Sequence, residues 1–119
     1  MHGILVQLPL PTQCNEFETT SRILPTKDVD GLTPQNAGLL AMKKAVLKAC
    51  TPSGVIELLQ YYSIPVEGKN TLIINRSNLV GKPLIHLLLE KNATVTVAHS
   101  KTKNLIDVCK SAEIGRAHV

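Results

Sequence analysis

Tryptophan is absent from the 119 residues, and Phe17, Tyr61 and Tyr62 are the only aromatic side chains. Proteins that grip single-stranded nucleic acid interleave aromatic platforms with basic residues. The net charge of +4 rests here on scattered lysines, so it reads as a solvated basic surface and no nucleic-acid partner is expected. No apolar run approaches the roughly 18 residues that a membrane-spanning helix needs, and no membrane partner is expected. Cys14, Cys50 and Cys109 are odd in number and far apart, which speaks against a disulfide framework or a C-x-x-C metal site. Cys50 reads as a small buried filler beside a helix start. His2, His86, His99 and His118 have no metal-ligand spacing, so no metal is expected. Met1 leads at once into His2-Gly3 and a strand, without the basic and apolar regions of a secretory signal. A cytoplasmic location follows as the expectation.

A second absence is the full dinucleotide fingerprint G-x-G-x-x-G; what stands in its place is Asn75-Arg76-Ser77-Asn78-Leu79-Val80-Gly81-Lys82-Pro83. This stretch follows the apolar run Leu72-Ile73-Ile74 and leads into a helical pattern with Leu84, Leu87 and Leu88 on one face. A strand, a tight turn and a helix N-terminus make an anion cradle, because the first backbone N–H groups of a helix lack partners and carry partial positive charge. Arg76 and Ser77 add side-chain contacts. Asn75 takes the turn position where glycine is usual, and asparagine tolerates left-handed backbone angles better than most residues. The alternative reading of this segment is an ordinary loop between strand and helix.

The expected strand from Asn70 to Ile74, helix from Val80 to Lys91 and strand from Ala93 to Val97 form a parallel β-α-β unit with a right-handed crossover. The end of its second strand faces the adenosine ribose of a bound dinucleotide. NAD enzymes usually put a carboxylate there, whereas NADP enzymes use basic and hydroxyl groups. Here the residues are His99, Ser100 and Lys101, and the lack of a carboxylate favours NADP. His86 reads as a surface or satisfied histidine.

Earlier in the chain, a buried strand is expected from about Gly3 to Leu8, ended by Pro9, which puts Gln7 at a carboxyl end where α/β proteins collect ligands. Asn15 to Leu24 has a helical pattern stopped by Pro25, and a short helix begins near Asn36. Asp28-Val29-Asp30-Gly31 is an acidic turn; one aspartate is free to point into a cleft, or both cap turns. Thr51 reads as an N-cap with Pro52 at the first helical position, and an apolar stripe runs from Val55 toward Tyr62.

Five segments, Gly3–Pro11, Lys27–Gly31, Cys50–Gly54, Asn75–Pro83 and Ala93–Thr102, occur in an order that closely resembles the methylenetetrahydrofolate dehydrogenase / methenyltetrahydrofolate cyclohydrolase family, from His2 to about Glu113. The resemblance implies an α/β fold and a fragment of a two-lobed protein. Residues 1–50 would be the end of the folate-binding catalytic lobe, 51–68 an inter-lobe helix and connection, and 69–113 the start of a Rossmann-like NADP-binding lobe. It implies an enzyme of one-carbon metabolism that oxidises 5,10-methylenetetrahydrofolate with NADP and hydrolyses the methenyl product to 10-formyltetrahydrofolate. By the same resemblance Gln7 and Asp30 line the folate cleft, Asp30 orients the pterin, Asn75, Arg76, Ser77, His99 and Ser100 contact the cofactor, and the parent is a homodimer.

The family's catalytic lysine lies in a Y-x-x-x-K motif, and no copy occurs here: Tyr61 and Tyr62 are followed four residues later by Pro65 and Val66. The chain alone is therefore expected to be inactive. The alternative is a non-catalytic NADP-binding Rossmann-like module, against which the presence of Gln7 and Asp30 argues. After Glu113 the pattern breaks. Gly115-Arg116-Ala117-His118 is not expected to form the family's next apolar strand, and residues 114–119 can be encoded by the start of a common sequencing adapter, which suggests a non-native tail.

Overall fold

A computed structural model describes residues 1–117. Five α-helices, α1 (Glu16–Ser21), α2 (Pro34–Ala41), α3 (Cys50–Tyr61), α4 (Gly81–Glu90) and α5 (Leu105–Lys110), accompany three strands, β1 (Asn70–Ile74), β2 (Thr94–Ala98) and β3 (Ile114–Ala117). The strands form one parallel sheet in the order β2-β1-β3, with Leu72 opposite Thr96 on one side and Gly115 on the other.

This order makes β1 the strand at which the winding reverses. The crossover from β1 runs through α4 to β2, and the next returns through α5, past β1, to β3. In open parallel sheets the crevice at the carboxyl end of such a switch point is where ligands gather. The loop 75–80 sits there, between β1 and α4.

The core lies on the α4 side of the sheet. Leu84, Leu87 and Leu88 recur at helical spacing and pack with Ile73, Ala93, Ile56 of α3 and Leu40 of α2. Ile73 and Leu84 have no exposed surface. Burying a side chain of this size contributes about 1.5–3 kcal/mol, so this cluster is the main reason β1 and α4 hold a fixed relation. Pro83 is the third residue of α4, where the helix has not yet begun to use its own N–H donors.

Several details differ from the sequence reading. The segment 3–8 is extended, with Ile4, Val6 and Leu8 half-buried and Leu5 and Gln7 exposed, but it makes a single bridge, Ile4 with Asp28. A strand needs a neighbour along its length, and only the Lys27 carbonyl meets it, 2.7 Å from the Ile4 nitrogen. Helix α3 begins at Cys50, so Ala49 rather than Thr51 is the N-cap and no side chain caps it. Cys50, expected to be a buried filler, is exposed at the first position of α3, and Cys14 and Cys109 are exposed as well.

The largest correction concerns residues 114–117, which do form a strand paired along β1 from Thr71 to Ile74. Parallel pairing is made by backbone groups, so glycine and arginine are accepted at an edge where alternate residues face outward. Ile114 and Arg116 are half-buried while Gly115 and Ala117 are exposed. His118 lies outside the described residues.

Candidate cofactor and substrate cleft

The cradle between β1 and α4 is tied by side chains. Asn75 Oδ1 accepts the Ser77 N–H at 2.8 Å. Ser77 Oγ in turn accepts from the backbone nitrogens of Val80 at 3.1 Å and Gly81 at 3.4 Å. As an acceptor in both, the Ser77 hydroxyl keeps its own proton free to donate. Arg76 is exposed and has no ion-pair partner among the described residues. Residue 81 has to be glycine: a Cβ there would stand 2.5 Å from the Asn75 carbonyl oxygen and 2.6 Å from Asn75 Oδ1. That close approach of helix to strand end keeps the first turn of α4 against the cradle.

At the end of β2, His99 is half-buried in a tight turn. Its N–H donates to Thr102 Oγ1 at 2.9 Å, and its Nδ1 accepts the Lys101 N–H at 3.2 Å. The ring proton of a neutral His99 therefore sits on Nε2, and that nitrogen, not Nδ1, is available to a ligand. Ser100 and Lys101 are exposed beside it.

A cleft of about 470 Å³ separates the cradle from the first part of the chain, lined by Leu8, Pro9, Phe17 and Leu32 on one wall and Ser77, Asn78 and Leu79 on the other. A second cavity of about 300 Å³ adjoins it, where His86 and Lys82 of α4 face Phe17 and Gly31. The half-buried His86 is thus a cavity-lining residue, a place that its position on α4 gave no sign of.

Gln7 and Asp30 border this cleft without lining it. Gln7 is exposed and its Nε2 donates to the Leu8 carbonyl at 3.1 Å. Asp30 is half-buried just before Gly31, whose φ of +64° makes the turn that a side chain there would strain. Burial raises the Asp30 pKa above the ordinary carboxylate value, and the neighbouring Asp28 charge adds to the rise. A carboxyl so placed exchanges a proton or a strong hydrogen bond with a ligand more readily than a solvated one.

Asp28 is the residue that sequence reasoning left among the turn caps. It is 1% exposed and accepts three hydrogen bonds, from Leu32 N (3.1 Å), Thr33 N (2.8 Å) and Asn36 Nδ2 (2.9 Å). Burial pushes its pKa up, but these bonds outweigh burial and hold it below the usual value. Asp28 therefore stays ionised and fixes the turn that carries Asp30 into α2. Among the described residues, no group of histidine, cysteine and carboxylate side chains is arranged to hold a metal, and no helix is long and apolar enough to cross a membrane.

Residues 49–117 match the family described as "Tetrahydrofolate dehydrogenase/cyclohydrolase, NAD(P)-binding domain". The bifunctional protein FolD of Nitrosopumilus maritimus is 72% identical over 114 residues, which make up 96% of this chain and 40% of that protein. FolD of Cenarchaeum symbiosum is 54% identical over the same shares. The chain thus spans about 40% of the length of these curated relatives. The crystal structure of the FolD methylenetetrahydrofolate dehydrogenase/cyclohydrolase from Campylobacter jejuni superposes with a TM-score of 0.95 at 43% identity, covering 99% of this chain and 42% of that one. The Trypanosoma brucei enzyme, solved with NADP cofactor and an inhibitor, gives 0.93 at 35% identity, with 99% and 41% covered.

Proposed function

The chain belongs to the tetrahydrofolate dehydrogenase/cyclohydrolase family, and we propose that it supplies the NADP-binding half of the catalytic cleft and one wall of the folate half. The parent enzyme would oxidise 5,10-methylenetetrahydrofolate and hydrolyse 5,10-methenyltetrahydrofolate to 10-formyltetrahydrofolate, acting as a homodimer in the cytoplasm. The observation that carries this reading is the cradle at the switch point of β1, inside the matched region and facing the segments that hold Gln7 and Asp30.

The residues suit the cofactor. Glycine at 81 brings the start of α4 close to the end of β1, the Ser77 hydroxyl has a proton to give, and the Arg76 guanidinium has no ion-pair partner among the described residues. Bound there, NADP would supply the acceptor for a hydride. Arg76 and Ser77 would hold its phosphates, and His99 and Ser100 would meet the adenosine ribose and its 2′-phosphate. Basic and hydroxyl groups at that position attract the extra phosphate, where a carboxylate would repel it. On the opposite wall Gln7 and Asp30 would orient the pterin by hydrogen bonds, with Asp28 holding Asp30 in place.

The test is titration of NADP and NAD against the purified chain, followed by fluorescence or calorimetry. Saturable binding with NADP at least about tenfold tighter than NAD is expected, the size of one good charged contact. A folded chain that binds neither dinucleotide would overturn the reading. In the full-length parent, Asp30→Asn should lower turnover of the methylene substrate while leaving NADP affinity within about twofold.

A further inference from the structure

The two cavities differ in the charge of their walls. The cleft of about 470 Å³ has one titratable side chain in its lining, the Glu16 carboxylate, whereas the adjoining cavity of about 300 Å³ has two, Lys82 and His86, and no carboxylate. Phe17, Leu32 and Asn78 line both, so they form one continuous space, acidic at one end and basic at the other. Lys82 and His86 are four residues apart on α4 and share one face of it. Lys82 Nζ donates to Asn78 Oδ1 at 2.7 Å, which spends one of its three N–H groups and leaves two. No carboxylate neutralises it, since the ion pairs among the described residues are Lys48–Glu90 and Lys69–Glu113. The half-buried His86 is bonded by its ring to no other described residue, and in either neutral tautomer that ring has an N–H to give. Phe17, Pro34, Ala37 and Leu40 supply an apolar wall. A concave, mostly apolar space with a few polar groups of one sign suits a ligand of opposite charge on an apolar stem.

We propose that this second cavity is a carboxylate pocket, in which Lys82 and His86 donate to a carboxylate while an apolar group lies against Phe17 and Pro34. For its occupant the proposal rests on the folate reading above. Tetrahydrofolate has the matching polarity: a pterin rich in N–H donors at one end, and a benzoyl ring carrying glutamate at the other. With the pterin held at Asp30, the benzoylglutamate would pass Leu32 into the cavity and set a carboxylate against Lys82. A free small acid offers the same chemistry, and the test separates the two sources.

Binding to the 119-residue chain is followed by NMR, which reads the weak affinity of a ligand fragment, on the order of millimolar. The probes are N-(4-aminobenzoyl)-L-glutamate, its uncharged diamide and free glutamate. The benzoylglutamate should shift the signals of Phe17, Ala37 and His86 saturably, and bind about tenfold more tightly than the diamide or glutamate alone. Lys82→Met, which keeps the apolar stem and loses the ammonium, should weaken it about tenfold, and His86→Leu about threefold. A diamide that binds as well as the acid, or a benzoylglutamate that leaves those three residues unmoved, overturns the proposal, and neither result depends on a variant folding. A folded Lys82→Met chain that binds like the unaltered one overturns it too. Free glutamate that binds as tightly as benzoylglutamate upholds the pocket and removes the folate tail from it. Tetrahydrofolate itself separates the two readings. Shifts at Gln7 and Asp30 with Ala37 and His86 unmoved would overturn the pocket and leave the folate reading standing, whereas benzoylglutamate binding without any binding of tetrahydrofolate would uphold the pocket and remove that reading.

Discussion

Residues 1–48 and 49–117 are held by different physics. Of the buried polar side chains, Thr20, Asp28, Thr33 and Asn36 all belong to the first region and only Thr71 to the second. The apolar core is the reverse: among the described residues, Leu40 is the single buried residue that the first region lends to the cluster of Ile56, Ile73, Leu84, Leu87, Leu88 and Ala93. The second region is a packed β-α-β layer in which apolar burial sets the geometry. The first is a set of short helices and turns organised around one buried carboxylate. Hydrogen bonds are directional and tolerate little displacement, so such an arrangement places polar groups accurately while contributing modest net stability. The first region thus orders its polar groups by hydrogen bonds, whereas the apolar layer fixes the strand end and helix start of the NAD(P)-binding part.

The sharpest challenge to this contrast is Leu84→Ala. It removes a side chain with no exposed surface from the centre of the core and should cost about 2–5 kcal/mol, read by urea unfolding. Asp28→Ala comes next. It leaves Leu32 N, Thr33 N and Asn36 Nδ2 without their acceptor and should cost on the order of 3 kcal/mol. Hydrogen exchange separates the two. Asp28→Ala should lose protection around α2 and keep it in β1 and β2; if both regions open together, the division into two differently held parts is wrong. Gly81→Ala should cost about 1–3 kcal/mol through overpacking against Asn75, and should weaken NADP binding by more than its effect on unfolding explains.

Acid should act on the first region through two carboxylates whose pKa values are shifted in opposite directions. Asp28 has a lowered folded-state pKa, so the stability it contributes is present above the ordinary carboxylate range and is lost as pH falls through its folded value, below about pH 4. Asp30 has a raised one, so it burdens the fold at neutral pH and the burden is relieved on acidification. Asp30→Asn should therefore raise the thermal midpoint slightly at pH 7 and leave it unchanged at pH 3, followed by circular dichroism. The smallest effect is expected at the Lys69–Glu113 pair. It spans 2.6 Å, and the hydrogen bond from Lys69 with that from the Asn70 backbone holds Glu113 below the ordinary value, yet both side chains are solvated. Glu113→Gln should leave the unfolding midpoint within experimental error.

Legibility followed the same division. β1 spans the Asn70 to Ile74 read from its apolar run, and α4 falls within the segment read from its leucine spacing, because burial against a core is written into hydrophobic periodicity. The parallel β-α-β unit and the position of the cradle followed from those two elements. The segment 3–8, read as a buried strand, shows the limit: Ile4, Val6 and Leu8 are half-buried and the chain is extended, but strand pairing depends on a partner that local sequence does not name. β3 shows the converse, since Gly115 and Arg116 carry little strand propensity and the free edge of β1 pairs with them through backbone alone.

The sequence by itself determined the β-α-β layer, the turn at its head and the family to which the chain belongs, because apolar spacing and ordered motifs are local properties. Only the tertiary structure decided that Asp28 rather than Asp30 is the buried organiser, that His86 faces a cavity, and that the Asn75 side-chain oxygen accepts the Ser77 N–H. Each of these depends on which groups from distant parts of the chain arrive within hydrogen-bonding distance, a property of the packed molecule that no single stretch of sequence contains.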